Sequence, residues 1–118
     1  MKTNNIIQNK SFAFALKIIN TYKFLIREKK EFILSKQLLK SGTSIGANIE
    51  ESIGGQSKAD FISKISIAYK EARETLYWLK LLAASDFIST EMSNELINDA
   101  QEICRIIGKI QITAKQKT

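Results

Sequence analysis

Ser41-Gly42-Thr43-Ser44-Ile45-Gly46-Ala47-Asn48-Ile49-Glu50-Glu51-Ser52 is the stretch whose conformation decides the fold. Leu38, Ile45 and Ile49 recur at helical spacing with Gly42 in the missing place, so the segment predicts a helix despite its two glycines. Each glycine costs about 1 kcal/mol relative to alanine in a helix interior. A compensating tertiary contact is therefore expected. Gly42, Gly46 and Ala47 would admit a neighbouring backbone, and Ser41, Ser44, Asn48 and Glu51 form a polar stripe able to hydrogen-bond across such a contact. Spacing and composition identify an all-helical packing unit and leave its activity open.

On the C-terminal side, Gly54-Gly55 predicts a left-handed cap and a chain reversal. Ser57 and Asp60 mark the next helix start, a capping box with the shorter acid. Ile62, Ile65, Tyr69, Ala72, Leu76, Leu79 and Ala83 then alternate spacings of three and four, a coiled-coil-type seam that Tyr77, Trp78, Leu81 and Leu82 widen. Thr90 is the expected cap of a last helix with Glu91 at its positive end, Lys109 and Lys115 toward its negative end, and Leu96, Ala100, Ile103, Ile107, Ile110 and Ala114 along its seam. On the N-terminal side, a lead-in over residues 1–8 precedes a helix expected to start at Asn9 or Ser11. Its core face is expected to carry Phe12, Ala15, Leu16, Ile19, Tyr22, Lys23 and Ile26, with Phe14, Ile18 and Leu25 on a neighbouring face. Helices over about 9–29, 32–53, 57–84 and 90–115 predict one all-α domain, an up-and-down antiparallel four-helix bundle. The extra apolar residues of the first and third helices predict self-association, because monomers rarely keep such patches exposed.

The chain of 118 residues is long enough to bury about two-thirds of its unfolded surface without a staple. A lone Cys104, no secretory-type leader and no apolar run near the roughly 20 residues of a membrane span make the cytoplasm the expected compartment, with no membrane partner. Histidine is absent, which removes Ser-His and Cys-His pairs and the Glu-x-x-His di-iron pattern of helical bundles. Cys104 lies in a helical seam, where a thiol is inert, and the acid pairs Asp99/Glu102 and Glu71/Glu74 are ordinary helix-surface features. Gly42–Gly46 lacks the Gly-Lys-Ser/Thr of a phosphate loop. No enzyme, cofactor or metal is expected.

The formal charge of +6 is uneven: +7 over residues 1–40, −5 over 41–104 and +4 over 105–118. Lys10, Lys17, Lys23, Arg27, Lys30, Arg105, Lys109 and Lys115 are the candidate phosphate contacts, and in an up-and-down bundle Lys10, Arg105, Lys109 and Lys115 can converge at one end. If helices two and three turn near Gly55, positions summing to roughly 110 face each other. Asn48 then lies near Ile62 and Ser63, Ser44 near Ser66, Lys36 near Glu74 and Lys40 near Glu71. Two uses of the cations stay open, phosphate contact and ion pairing. With no recognition helix and no aromatic platform, any nucleic-acid binding would be sequence-tolerant.

Ser44-Ile45-Gly46-Ala47-Asn48-Ile49-Glu50-Glu51, followed by Phe61 and by Glu71-Ala72-Arg73-Glu74-Thr75-Leu76-Tyr77-Trp78-Leu79, resembles the bacterial four-helix-bundle family of proteins encoded in intervening sequences of 23S ribosomal RNA genes. The similarity runs from about Ile6 to about Thr113. It departs from many relatives in having Gly46 where they carry proline and Ser52 where they carry a small residue. The resemblance implies a homo-oligomer, a pentameric ring, without catalytic activity, and a more distant similarity to the nucleic-acid-binding accessory protein of diversity-generating retroelements. Ser44, Asn48 and Glu51 match the family's polar motif and Glu74 a recurrent acid, none of them catalytic. The resulting expectation is an oligomeric scaffold for RNA or DNA; the alternative is an adaptor that docks a partner enzyme through apolar helix faces.

Overall fold

The computed structural model describes residues 2–116; Met1 of the lead-in and Lys117 of the basic tail lie outside the described residues. Four helices, α1 (Lys2–Arg27), α2 (Leu34–Ile53), α3 (Lys58–Ala84) and α4 (Thr90–Gln116), follow one another with no strand among the described residues. Each packs on its two neighbours around a square, α1 against α2 and α4, α3 against α2 and α4, and the diagonal pairs stay apart. The α2/α3 seam is the most extensive and the α1/α4 seam the lightest. The bundle is a rod of 48 × 21 × 19 Å with its apolar core along the axis.

The first helix differs from its sequence expectation in two ways. It begins at Lys2 instead of Asn9 or Ser11, and Ile7 of the expected lead-in is buried. Its two apolar faces are also exchanged. Phe14, Ile18 and Leu25 are in the core, whereas Phe12 is 68% and Leu16 50% exposed. The buried face is disguised because Ser11 and Thr21 share it: the Ser11 hydroxyl donates to the Gln8 carbonyl (3.2 Å) and that of Thr21 to the Lys17 carbonyl (2.8 Å). Bonds back to the helix satisfy these hydroxyls, so they can be buried beside apolar side chains each worth about 1.5–3 kcal/mol.

Helix α2 starts two residues later than expected, leaving Phe32 and Ile33 exposed. Glu31 explains the start: its carboxylate accepts from the backbone N–H groups of Ser35 (2.7 Å), Leu34 (3.0 Å) and Ile33 (3.3 Å). Burial alone would raise the carboxyl's pKa, but these bonds outweigh it and hold it below the ordinary value. Within α2 the glycines face α1: a Cβ on Gly42 would meet Ile18, and one on Gly46 would meet Ser11. The close approach and the polar stripe thus serve different seams, since Ser41 and Glu51 reach α3.

The left-handed cap expected at Gly54-Gly55 is not formed. Gly54 has φ −84° and donates to the Glu50 carbonyl (3.2 Å), and among the described residues only Lys30 and Asp86 have positive φ. Gly55 is needed for space, because a Cβ there would come within 3.2 Å of the Ser52 carbonyl and 3.3 Å of Asp60. Ser57 caps α3 by accepting from the Asp60 N–H (3.1 Å). For α4 the capping hydroxyl belongs to Ser89, which accepts from the Met92 N–H (3.1 Å), and not to Thr90.

Candidate functional site

The eight candidate cations do not form one patch. Lys10 and Lys17 are on the edge of α1 that faces α4, where carboxylates meet them: Lys10 pairs with Glu102 at 3.0 Å, and Lys17 with Asp99 at 2.7 Å and Glu95 at 3.3 Å. The hydrogen bond to Asp99 raises the Lys17 pKa despite partial burial, with Glu95 adding to it. These pairs bridge the antiparallel α1/α4 seam, the lightest of the four. Lys23, Arg27 and Lys30 are exposed around the C-terminal end of α1, and Arg105, Lys109 and Lys115 along the C-terminal half of α4. At 1.5 Å per residue, Lys10 and Arg27 are about 25 Å apart along α1. The two groups therefore occupy opposite ends of the rod.

The polar motif of α2 is partitioned among three environments. Ser41 is fully buried, with its hydroxyl 2.9 Å from that of Thr75 on α3, which is also 2.8 Å from the Glu71 carbonyl. Ser44 and Asn48 are half-buried and bond back along α2, Ser44 to the Lys40 carbonyl (2.6 Å) and the Asn48 amide to the Ser44 carbonyl (2.9 Å). Glu51 is exposed and pairs with Lys64 at 2.8 Å, which raises the Lys64 pKa. Ser41–Thr75 and Glu51–Lys64 set a register more than a helical turn further along α3 than expected. The reason is the connection Gly54–Ser57, which runs on past α2 so that Lys58, Ala59 and Asp60 stay exposed.

This register corrects the expected neighbours. Asn48 and Ser44 do not bond to Ser63 or Ser66; Ser66 instead accepts from Gln111 of α4 (3.1 Å). Lys36 makes no ion pair with Glu74, whose carboxylate accepts from the Trp78 indole N–H (3.0 Å). Lys40 does influence Glu71, but burial first and then Glu74 push that carboxyl above its ordinary pKa, with Lys40 only opposing them. Thr75, the partner that makes Ser41 a cross-helix link, escaped sequence analysis. A threonine inside an apolar heptad gives no signal until the register is known.

On the α3/α4 seam, a Cβ on Gly108 would meet the Tyr69 ring at an ordinary 4.0 Å. Cys104 is half-buried between α3 and α4; burial raises its thiol pKa, and Arg73 and Arg105 both oppose the shift. A raised pKa disfavours the reactive thiolate. Among the described residues no three His, Cys, Asp or Glu side chains converge as a metal site, and no helix is long and apolar enough to cross a membrane.

The α1/α2 side carries a mainly apolar hollow. It is lined by Phe12, Ala15, Thr43, Gly46 and Ala47, with the Gln8 amide donating to Glu50 (3.0 Å) at its end. Leu16 continues the exposed strip along α1. Comparison with solved structures finds a protein of unknown function of the S23 ribosomal protein family from Bacteroides thetaiotaomicron VPI-5482, 50% identical, covering 92% of this chain and 97% of that one with a TM-score of 0.91. No curated protein matches. The sequence pattern of the family described as 23S rRNA-intervening sequence protein matches residues 3–109. The chain belongs to that family.

Proposed function

We propose that the chain is a subunit of a homo-oligomeric, non-enzymatic scaffold that holds RNA or DNA without reading its sequence. The observation that carries this reading is the fate of the cations. Lys10, Lys17 and Lys64 are committed to carboxylates, whereas Lys23, Arg27, Lys30, Arg105 and Lys109 are exposed with no ion pair among the described residues. Exposed cations repeated around an assembly attract a polyanion through counterion release. Lys10 and Lys17 are then structural. Lys115 lies on the same C-terminal half of α4 as Arg105 and Lys109.

Self-association is supported by the strip of Phe12, Leu16 and Ala47 on the α1/α2 side. Light scattering at micromolar concentration should give a mass several times the 13.4 kDa of one chain, and Phe12→Glu with Leu16→Glu should lower it. Fluorescence anisotropy with labelled RNA and DNA should show binding whose logarithm falls linearly with the logarithm of salt concentration. The same apolar strip favours a second reading, an adaptor that docks a protein partner. Absence of binding at low salt by an intact oligomer would favour the adaptor.

A further inference from the structure

One side of the bundle carries cations and amides, with Glu74, exposed four residues after Lys70 and three before Tyr77, at its rim. Along α3, Ser66, Lys70, Arg73, Tyr77 and Lys80 follow one another at spacings of four and three, so they share a stripe. Ser66 bonds Gln111 of α4, which places the stripe on the edge of α3 beside α4, and Arg73 acts electrostatically on Cys104 of α4. Opposite it, Asn94, Asn98, Gln101 and Arg105 follow the same spacing on α4. Lys70, Arg73, Lys80, Asn94, Asn98 and Arg105 are all exposed.

The other acids are elsewhere. Glu95, Asp99 and Glu102 are drawn to the opposite edge of α4 by Lys17 and Lys10, and Glu91 lines the hollow beside Lys17. Glu50 and Glu51 are held by Gln8 and Lys64, while Glu71 is on the α2 side near Lys40, and Glu74, bonded to the Trp78 indole, borders the stripe next to Tyr77. Asp86 lines a hollow with Phe24 and Lys29 of the α1 end. Glu28, Glu31 and Asp60 belong to the helix ends around α2. Segment sums hide this face, because Lys70, Arg73 and Lys80 belong to the stretch that totals −5.

Tyr77 stands in the middle of the stripe, 58% exposed, its ring set edge-to-face on Trp78 at 5.0 Å and 69°. We propose that the α3/α4 face is the surface on which a single-stranded nucleic acid lies, with Lys70, Arg73, Lys80 and Arg105 along the phosphates and Tyr77 stacked on a base. The inference rests on the nucleic-acid reading above and adds a location and a strand form. Single strands are favoured because an aromatic face needs an unstacked base, and stacking of that kind is indifferent to sequence. Lys70 and Lys80 lie about 15 Å apart along α3, room for a few nucleotides.

Anisotropy of the full chain with labelled single-stranded RNA, single-stranded DNA and a duplex tests the proposal. Arg73→Glu with Lys80→Glu should weaken single-strand binding roughly tenfold or more and reduce the salt slope by about 0.7 for each phosphate that is no longer neutralised. Lys70→Gln with Lys80→Gln is the milder pair should the reversal disturb helicity or mass, and should act in the same direction. Tyr77→Ala should weaken single-strand binding by roughly 5- to 150-fold, whereas Tyr77→Phe keeps it and duplex binding is unchanged by either. Unaltered binding by the folded α3 variants, with loss in Lys23→Glu/Arg27→Glu, would overturn this location and leave the broader reading intact. Equal displacement by polyglutamate at matched charge would overturn the base-stacking role. A parent chain that binds no nucleic acid would remove both.

Discussion

An alanine scan of the two α2 glycines should separate them by sign. At Gly42 a methyl would sit 2.8 Å from both Cγ atoms of Ile18 and 3.2 Å from its Cβ. Ordinary carbon contacts are about 3.5–4.0 Å. Ile18 is fully buried and β-branched, so its γ carbons have little rotameric freedom with which to yield. Overpacking of this kind costs about 1–3 kcal/mol, against about 1 kcal/mol gained by replacing a mid-helix glycine. Gly42→Ala should therefore lie between neutral and about 2 kcal/mol less stable. At Gly46 the methyl would be 3.4 Å from the Ser11 hydroxyl and 3.6 Å from its Cβ. Only a small adjustment is required, so the propensity gain of up to about 1 kcal/mol should prevail. Urea and thermal unfolding at one protein concentration should place Gly46→Ala above the parent and Gly42→Ala at or below it, the concentration being fixed because assembly shifts apparent stability. Ile18→Ala alone should cost about 2–5 kcal/mol and distinctly less in the Gly42→Ala background, where it removes the two clashing atoms. A Gly42→Ala variant as stable as Gly46→Ala, or strict additivity with Ile18→Ala, would refute the packing argument.

Three further outcomes can be checked by unfolding measurements. Asn48→Leu should change subunit stability by less than about 0.5 kcal/mol, because the amide donates only to a carbonyl of its own helix; a smaller oligomer mass with unchanged melting would place Asn48 in a subunit contact. Thr75→Val should cost about 0.5–1.5 kcal/mol by removing the cross-helix partner of the fully buried Ser41 hydroxyl and leaving it only the 3.4 Å bond to the Leu38 carbonyl, and adding Ser41→Ala should recover part of it. Glu71→Gln should be more stable than the parent at neutral pH, since the raised pKa of Glu71 means the native state holds its proton more tightly than the unfolded chain does. Parent stability then falls as pH rises from about 4 through the raised value, and an advantage of the variant that persisted at lower pH would contradict this assignment.

Helix type was legible wherever a heptad was long, as in Ile65–Ala72–Leu79 of α3, because a repeated seam needs no knowledge of the partner. The face of α1 was not legible. Phe12 and Leu16 outweigh Ser11 and Thr21 in any count of hydrophobicity, yet the hydroxyls are buried because the α1 backbone satisfies them. Glu31 shows a related limit: its carboxylate caps α2 from a position two residues before Ile33, so a search for a cap at the boundary itself finds none. The polar motif was legible as a stripe facing α3. Its bonding was not, because the exposed first turn of α3 moved the register by more than a turn and replaced the expected partners of Ser44, Asn48 and Glu74.

The same displacement bears on how binding and assembly could coexist. In a square bundle the α1/α2 and α3/α4 sides are opposite walls, and their surfaces differ in chemistry. The first exposes Phe12 and Leu16 beside Ala47, the second Arg73, Tyr77, Lys80 and Arg105. If subunits associate through the apolar wall, each interface leaves a cationic wall turned away from it. A nucleic-acid strand long enough to touch two such walls would bind the second at the effective concentration set by the first, so avidity would grow with oligomer size without any additional interaction per subunit. Phe12→Glu/Leu16→Glu should then lower affinity for long single strands far more than for strands that occupy one face, although neither residue touches the strand. Equal losses for short and long strands would mean that the apolar wall does not organise the cationic ones.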